Sequence, residues 1–172
     1  DEVSMELRKY VQDCEKCAIS GIRMFTLAQD NLKMEVTKAG KTRSFVSMDL
    51  PETMLIRKWY GTFMAQVKLK HQRMHCQLGI DPVMEFDGIF KRFRKISMVG
   101  EAGDFKRWDK HITAPMIKIT MEVIQKIILH SLRKEQHEHF KQLNKVVTEM
   151  IIYTFVIAGN VLYSKTTGNP SG

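Results

Sequence analysis

Three observations predict an α+β fold for this sequence. Apolar residues recur at helical spacing in several long stretches. Shorter β-type runs lie between them, one of them split by Gly159-Asn160 as a hairpin is. Helical and strand patterns do not alternate with the regularity of a parallel α/β sheet, so α+β is the natural class. At 172 residues, 44% hydrophobic, the chain can build a sizeable core and is not a disordered polymer.

The elements follow in order. Residues 2–19 are predicted to be a helix, with Val3, Leu7, Val11, Cys14 and Ala18 on its apolar stripe and Ser20-Gly21 as its stop. "IRMFTLA" (22–28) reads as a strand. "KMEVTKAGKTRSFVSM" (33–48) reads as a basic strand–turn–strand bent at Gly40. Asp49 caps a helix with Pro51 in its first turn and Ile56, Trp59, Phe63 and Val67 on its apolar side. Gly79-Ile80-Asp81-Pro82 is a break, and Asp81 caps the next helix. That helix is expected to bury Val83, Phe86, Phe90 and Phe93 and to expose Lys91, Arg92, Arg94 and Lys95. "ISMV" (96–99) reads as a strand. Thr113 and Pro115 open a long helix with Ile117, Met121, Ile124 and Ile128 on one side. A second helix carries Phe140, Leu143, Val147 and Met150. "IIYTFVIAGNVLYSKTTG" is the hairpin, and the ending "GNPSG" suggests a segment of something larger.

Lys and Arg outnumber Asp and Glu by 27 to 19, a net charge of +8 that favours a polyanionic partner such as nucleic acid or an acidic membrane surface. The acidic start is unlike a signal peptide, and no apolar run is long enough to cross a bilayer. Three cysteines do not make a disulfide framework. Cys14 and Cys17 have a metal-type spacing, and His71, His75 and Cys76 would complete a zinc site. The helical stripe favours buried thiols instead, and the two halves lack a zinc-finger spacing.

The chemistry concentrates in three stretches. In "AGDFKRWDKHI" (102–112), Asp104 and Asp109 stand five residues apart, so a plain helix would not put them on one face. A strand running into a tight turn presents a carboxylate and bare carbonyls, the hard oxygen donors that Mg²⁺ takes. In "TKAGKTRSF", Lys38, Lys41 and Arg43 crowd a Gly bend, and Lys41 and Arg43 share a strand face. Such a cluster suits a triphosphate or a nucleic-acid backbone. It is not a P-loop, whose Gly-x4-Gly-Lys-Ser/Thr spacing is missing. In "TTGNPSG", Gly168, Pro170 and Gly172 bracket the hydroxyl of Ser171 on a bent loop.

The order of these stretches resembles the RNA-dependent RNA polymerases of picorna-like positive-strand RNA viruses. "QDNLKMEVTKAGKTRSF" is similar to the basic fingers motif F, "GDFKRWDKH" to palm motif A, and "TTGNPSG" to the opening of motif B. "GIDP" (79–82) matches a short stretch that the family carries between F and A. The family often has Lys at the place of Gln29 and Arg at that of Lys33. Motif C, with its Gly-Asp-Asp, does not occur in the sequence.

The resemblance implies a right-hand polymerase, with fingers over 1–95 and an incomplete palm over 96–172. It implies template-directed transfer of ribonucleoside monophosphates to an RNA 3′ end by a two-metal reaction, in genome replication. Asp104 would be catalytic and hold Mg²⁺ (Mn²⁺ as a substitute), with the Phe105 carbonyl as a further ligand. Asp109 and Ser171, hinged by Gly172, would bind the ribose. Arg43, Lys41, Lys38 and Lys33 would hold triphosphate and template. The implied partners are template and primer RNA, ribonucleoside triphosphates, the rest of the polymerase chain and other viral replication proteins. The implied setting is the host cytoplasm, in membrane-associated replication complexes. Without motif C the segment alone is expected to be inactive. Two rivals stand beside this reading. One is a noncatalytic basic RNA-binding domain, which Lys91–Lys95 and the basic strand would serve. The other is a reverse transcriptase, against which Asp109 argues, because enzymes using deoxynucleotides usually place a bulky residue there.

Overall fold

The computed structural model describes residues 2–34, 36, 44–73, 76–106 and 108–168, with the side chains of 2, 3, 72 and 109 left outside the description. The elements run α1 (Glu2–Ile19), β1 (Leu27–Leu32), β2 (Ser44–Ser47), α2 (Leu50–Leu69), α3 (Pro82–Ile96), α4 (Trp108–His111), α5 (Ala114–Ser131), α6 (His137–Ile152), β3 (Thr154–Ala158) and β4 (Val161–Lys165). The chain divides into two compact units, residues 1–59 with 107–172 and residues 60–106, the division falling inside α2.

The larger unit is built on α6, which packs against both α1 and α5. Phe140, Leu143, Val147 and Met150, the residues picked out by their spacing, are all buried there. From α5, Ile117, Met121 and Ile128 are buried against this core. The Trp59 ring stacks on Phe140 at 5.8 Å between centroids, and its indole N–H donates to Glu15 Oε1 at 2.7 Å. Buried polar groups find backbone partners: Thr148 Oγ1 donates to the Asn144 carbonyl at 2.6 Å and Thr154 Oγ1 to that of Met150 at 3.0 Å.

A four-stranded sheet, ordered β2-β1-β3-β4, lies in the same unit. The hairpin β3–β4 pairs Ala158 with Val161 across a two-residue turn, where Gly159 takes φ 58°, a left-handed value that suits glycine. β1 pairs parallel with β3, Ala28 facing Val156, and antiparallel with β2, Gln29 facing Ser47. Ala28, Thr154 and Val156 form the buried side of the sheet.

Four expectations are corrected. The strand expected at 22–28 begins only at Leu27, and the first arm of the basic hairpin is Leu27–Leu32 rather than a strand from Lys33. The reason lies in Arg23. Its guanidinium donates to the carbonyls of Glu149 and Tyr153 at the end of α6 and lies 5.6 Å from the Phe155 ring centre, so 22–26 is a connector. The stretch 96–99 is not a strand. Ile96 ends α3, the Ser97 N–H bonds back to the Phe93 carbonyl at 3.0 Å, and Ser97 Oγ accepts from the Val99 N–H at 3.1 Å. Among the described residues, the sheet is made of β2, β1, β3 and β4 and does not include this stretch. Finally, Val83, Phe86, Phe90 and Phe93 are exposed, not inward-facing.

The smaller unit holds the rest of α2, a 3-10 turn at His71–Arg73, and α3. Asp81 caps α3 as its sequence position requires, its carboxylate accepting from the N–H groups of Val83 at 2.9 Å and Met84 at 3.3 Å. Among the described residues, no helix is long and apolar enough to cross a membrane.

Candidate nucleotide-binding site

Asp104 lies in exposed, irregular backbone at the end of the smaller unit, with exposed Phe105 beside it. An exposed carboxylate keeps its lone pairs accessible to a hard cation, and a backbone carbonyl one residue on supplies an oxygen of the same type. Among the described residues, no group of three Asp, Glu, His or Cys side chains is gathered for a metal ion.

Asp109 lies in the single-turn helix α4 of the larger unit, and its side chain is outside the described residues. Three residues on, the Ile112 carbonyl accepts a 2.7 Å hydrogen bond from the N–H of Gly168. Gly168 is buried and takes φ 79°, a turn that disfavours any side chain. This bond joins the segment that follows Asp109 to the segment that precedes Ser171. Ser171 and Gly172 themselves lie outside the described residues, as do Lys38, Lys41 and Arg43. Lys33 is described: it directly follows β1 and is exposed.

Two charged residues with tertiary roles, Arg23 and Glu52, were missed by sequence reasoning. Arg23, described above, ties the start of β1 to the end of α6. Glu52, in the first turn of α2, is buried. It lines a small cavity with Cys14, Thr26, Leu55 and Met150. Burial pushes its carboxyl up to about 7, against the downward pull of a hydrogen bond with Thr26 and the charge of Arg23, with Asp49 adding to the rise. An acid in the first helical turn reads as a surface charge serving the helix dipole, so no local signal marks it as buried.

Two of the residues considered for zinc, Cys14 and His71, have other surroundings. Cys14 is buried in the α1 stripe, and burial raises its thiol pKa. The two ring nitrogens of His71 are engaged, Nδ1 with the Lys68 carbonyl at 2.6 Å and Nε2 with Glu85 Oε1 at 2.9 Å. Those bonds raise its pKa, the carbonyl contributing most. His75 lies outside the described residues.

Comparison with known proteins bears on the whole arrangement. The sequence pattern of viral RNA-dependent RNA polymerase matches residues 12–172. The chain belongs to the viral RNA-dependent RNA polymerase family. It is 24% identical over 162 residues to the RNA1 polyprotein of Arabis mosaic virus (isolate NW), covering 94% of this chain and 7% of that polyprotein. It is 28% identical over 97 residues to the genome polyprotein of Rice tungro spherical virus (strain Vt6), 52% of this chain and 3% of that one. Among solved structures, the Sicinivirus 3Dpol RNA dependent RNA polymerase superposes with a TM-score of 0.71 at 20% identity, over 97% of this chain and 34% of that one. The chain thus spans about a third of that polymerase and a small part of the polyproteins. Its mixed helix-and-sheet architecture is part of a right-hand polymerase fold, as the motif order implied.

Proposed function

We propose that this chain is the part of a viral RNA-directed RNA polymerase that receives the incoming ribonucleotide. The full-length protein then extends an RNA 3′ end against an RNA template during genome replication. The observation that carries the reading is the Gly168-to-Ile112 hydrogen bond at 2.7 Å. It supports a shared sugar site because Asp109 precedes one partner by three residues and Ser171 follows the other by three.

In this reading residues 1–95 contribute fingers and 96–172 the first part of the palm. The Asp109 carboxylate accepts a hydrogen bond from the ribose 2′-OH, the group that separates RNA from DNA precursors. Ser171 supports it, on a loop that Gly172 lets bend. Lys33, Lys38, Lys41 and Arg43 hold the triphosphate and the RNA backbone, as fixed cations do for phosphate oxygens. The primer 3′-OH attacks the α-phosphate in line, the bond to the bridging oxygen breaks, and pyrophosphate leaves. Asp104 and the Phe105 carbonyl would hold Mg²⁺, or Mn²⁺ in its place. Such ions, bound as a pair, stabilise the entering and leaving oxygens. The sequence contains no Gly-Asp-Asp to supply a second carboxylate, so the 172-residue chain does not polymerise by itself.

The test is primer extension on an RNA template by the full-length protein and its Asp104→Asn variant. Template-dependent extension that the substitution abolishes is expected. Extension that survives it would withdraw Asp104 as the metal ligand. A wild-type protein that binds RNA without extending it would leave a noncatalytic RNA-binding domain.

A further inference from the structure

Two features of the sequence, the first histidine of "KLKHQRMH" and the "GIDP" break, meet in the smaller unit. His71 follows the end of α2 and is buried, 7% exposed. Its Nδ1 lies 2.6 Å from the Lys68 carbonyl oxygen and its Nε2 2.9 Å from Glu85 Oε1. The other oxygen of the same carboxylate, Glu85 Oε2, accepts from the Asp81 N–H at 2.8 Å. The chain between the two helices folds back onto this place. The Gln77 side-chain amide donates to the His71 carbonyl at 3.2 Å. Gly79 takes φ 87° and passes so close to Lys68 that a Cβ there would stand 3.0 Å from its Cγ.

Counting protons makes this geometry conditional. A carbonyl oxygen only accepts, so Nδ1 has to carry a hydrogen. A neutral imidazole has a single N–H, which would leave Nε2 as a bare lone pair facing an ionised carboxylate. Two acceptors that close repel each other. The 2.9 Å contact therefore holds one further proton between Nε2 and Oε1, and the bond is then charge-assisted. Among the described residues, the charges that act on the ring come from α3: Glu85 favours the added proton and Arg92 opposes it. From the end of α2 the ring receives the Lys68 carbonyl, which raises its pKa most, while burial pulls the other way. The net direction is upward from the ordinary 6.5.

We propose that His71 and Glu85 form a proton-operated clasp: one proton held between Nε2 and Oε1 fastens residues 77–85 to the end of α2, and its loss releases them. This inference stands whether or not the polymerase reading does. A folded-state pKa above 6.5 means that the clasp is fully closed below pH 6.5 and opens as pH rises through the folded value. On opening, repulsion moves the Glu85 carboxylate off the ring, and its bond to the Asp81 N–H goes with it. The Asp81 carboxylate still caps α3, so the helix persists while the connection before it loosens. In this reading "GIDP" is the moving part, with Gly79 allowing the close pass over Lys68 and Asp81 starting the helix.

Amide hydrogen exchange of the full-length protein, resolved by peptide between pH 6 and pH 9, tests this. Each rate is divided by the intrinsic rate at that pH, and a peptide from α6 serves as the internal reference. Protection over residues 77–85 is expected to fall ~10-fold relative to α6 across the range, as local opening takes over. His71→Gln, which cannot gain the proton, is expected to show the low protection at every pH. A wild-type ratio that stays constant would overturn the proposal, and so would a pH dependence that survives in His71→Gln. Where that variant does not fold, exchange of the ring Cε1 hydrogen in the unsubstituted protein reads the titration of His71 itself, on a peptide that ends at Arg73 and so excludes His75. A midpoint above the ordinary 6.5 is expected, and one at or below it would overturn the clasp. Glu85→Gln should lower that midpoint; an unmoved midpoint would remove the carboxylate as the partner, and the proposal with it.

Discussion

Helices α6 and α3 are nearly equal in length, 16 and 15 residues, and both are amphipathic, yet α6 buries eight residues and α3 buries none. Amphipathic spacing says which side of a helix seeks cover. It does not say whether the cover lies within the same chain. α6 finds it in α1 and α5. The difference separates a region whose side chains maintain the fold from one whose side chains are open to other partners, and substitutions should sort accordingly.

The largest expected effect falls in the open region and on activity alone. Asp104→Ala in the full-length polymerase should lower nucleotide incorporation by roughly thousandfold or more, which is at least about 4 kcal/mol of transition-state stabilisation. Because Asp104 is exposed, the melting temperature should stay within a degree or so. Incorporation and melting temperature measured on the same preparation would expose a failure. A large drop in melting temperature would mean that Asp104 supports structure, contrary to its exposure.

The packed region should give the opposite result. Phe140 has no exposed surface, and its ring stacks with Trp59. Phe140→Ala should cost about 3–5 kcal/mol, the range for deleting a buried aromatic ring. Phe90→Ala, on the exposed stripe of the 172-residue chain, should change its stability by about 0.5 kcal/mol or less. Urea unfolding of the two variants measures both. Comparable losses would show that α3 is covered within this chain after all.

The same contrast explains what could be read from the sequence. Helices α5 and α6 and the β3–β4 hairpin were legible because their signals are local: Ile117, Met121 and Ile128 repeat at helical spacing, and Gly159-Asn160 marks its own turn. The start of β1 was not legible. Leu27–Leu32 is a strand because Ala28 meets Val156, a pairing 128 residues away in sequence, while apolar Ile22–Thr26 is held as a connector by Arg23. "ISMV" failed for a local reason: its pattern was β-like, but α3 runs through Ile96 and the Ser97 N–H bonds back to the Phe93 carbonyl. Of the proposed site, the sequence offered candidate residues and their order along the chain. The Gly168-to-Ile112 contact between two motifs was not legible, because it depends on tertiary structure.

Glu52 sharpens the comparison from inside the packed region, where a buried group need not be apolar. Its carboxyl, at about 7, stands well above the ordinary 4.5. Below pH 4.5 both folded and unfolded chains are protonated, and the group adds no pH dependence. Between pH 4.5 and 7 the unfolded chain ionises first, so folding becomes less favourable as pH rises. Above pH 7 the full cost applies, about 3 kcal/mol. Glu52→Gln removes that cost and can keep the bond with Thr26. The variant should therefore be more stable than wild type at pH 8, by up to about 3 kcal/mol, with the gain fading by pH 4.5. Paired urea titrations across that range give the answer, and a gain independent of pH would show that ionisation is not the cause.

The smallest effect is expected where the packed unit reaches the proposed sugar site. Asp109 sits in α4, and the segment after it is tied to the one before Ser171 by a single backbone bond. A site that hydrogen-bonds a hydroxyl rejects analogues lacking it, because its own polar groups are then left unpaired. Removing the carboxylate should hurt ribonucleotides more than deoxyribonucleotides. In the full-length polymerase, Asp109→Asn should shrink the ratio of kcat/KM for ATP over dATP by about tenfold, about 1.4 kcal/mol. Ser171→Ala should shrink it in the same direction and by less, since the hydroxyl acts through the carboxylate. The Gly168 bond adds a further consequence. Gly168→Ala strains a φ of 79° and displaces the loop, so it should lower kcat/KM for both sugars, the ribonucleotide more. Equal losses for the two sugars in the Asp109 and Ser171 variants would reduce both residues to structural roles, and the packed region would then contribute scaffold but no selectivity.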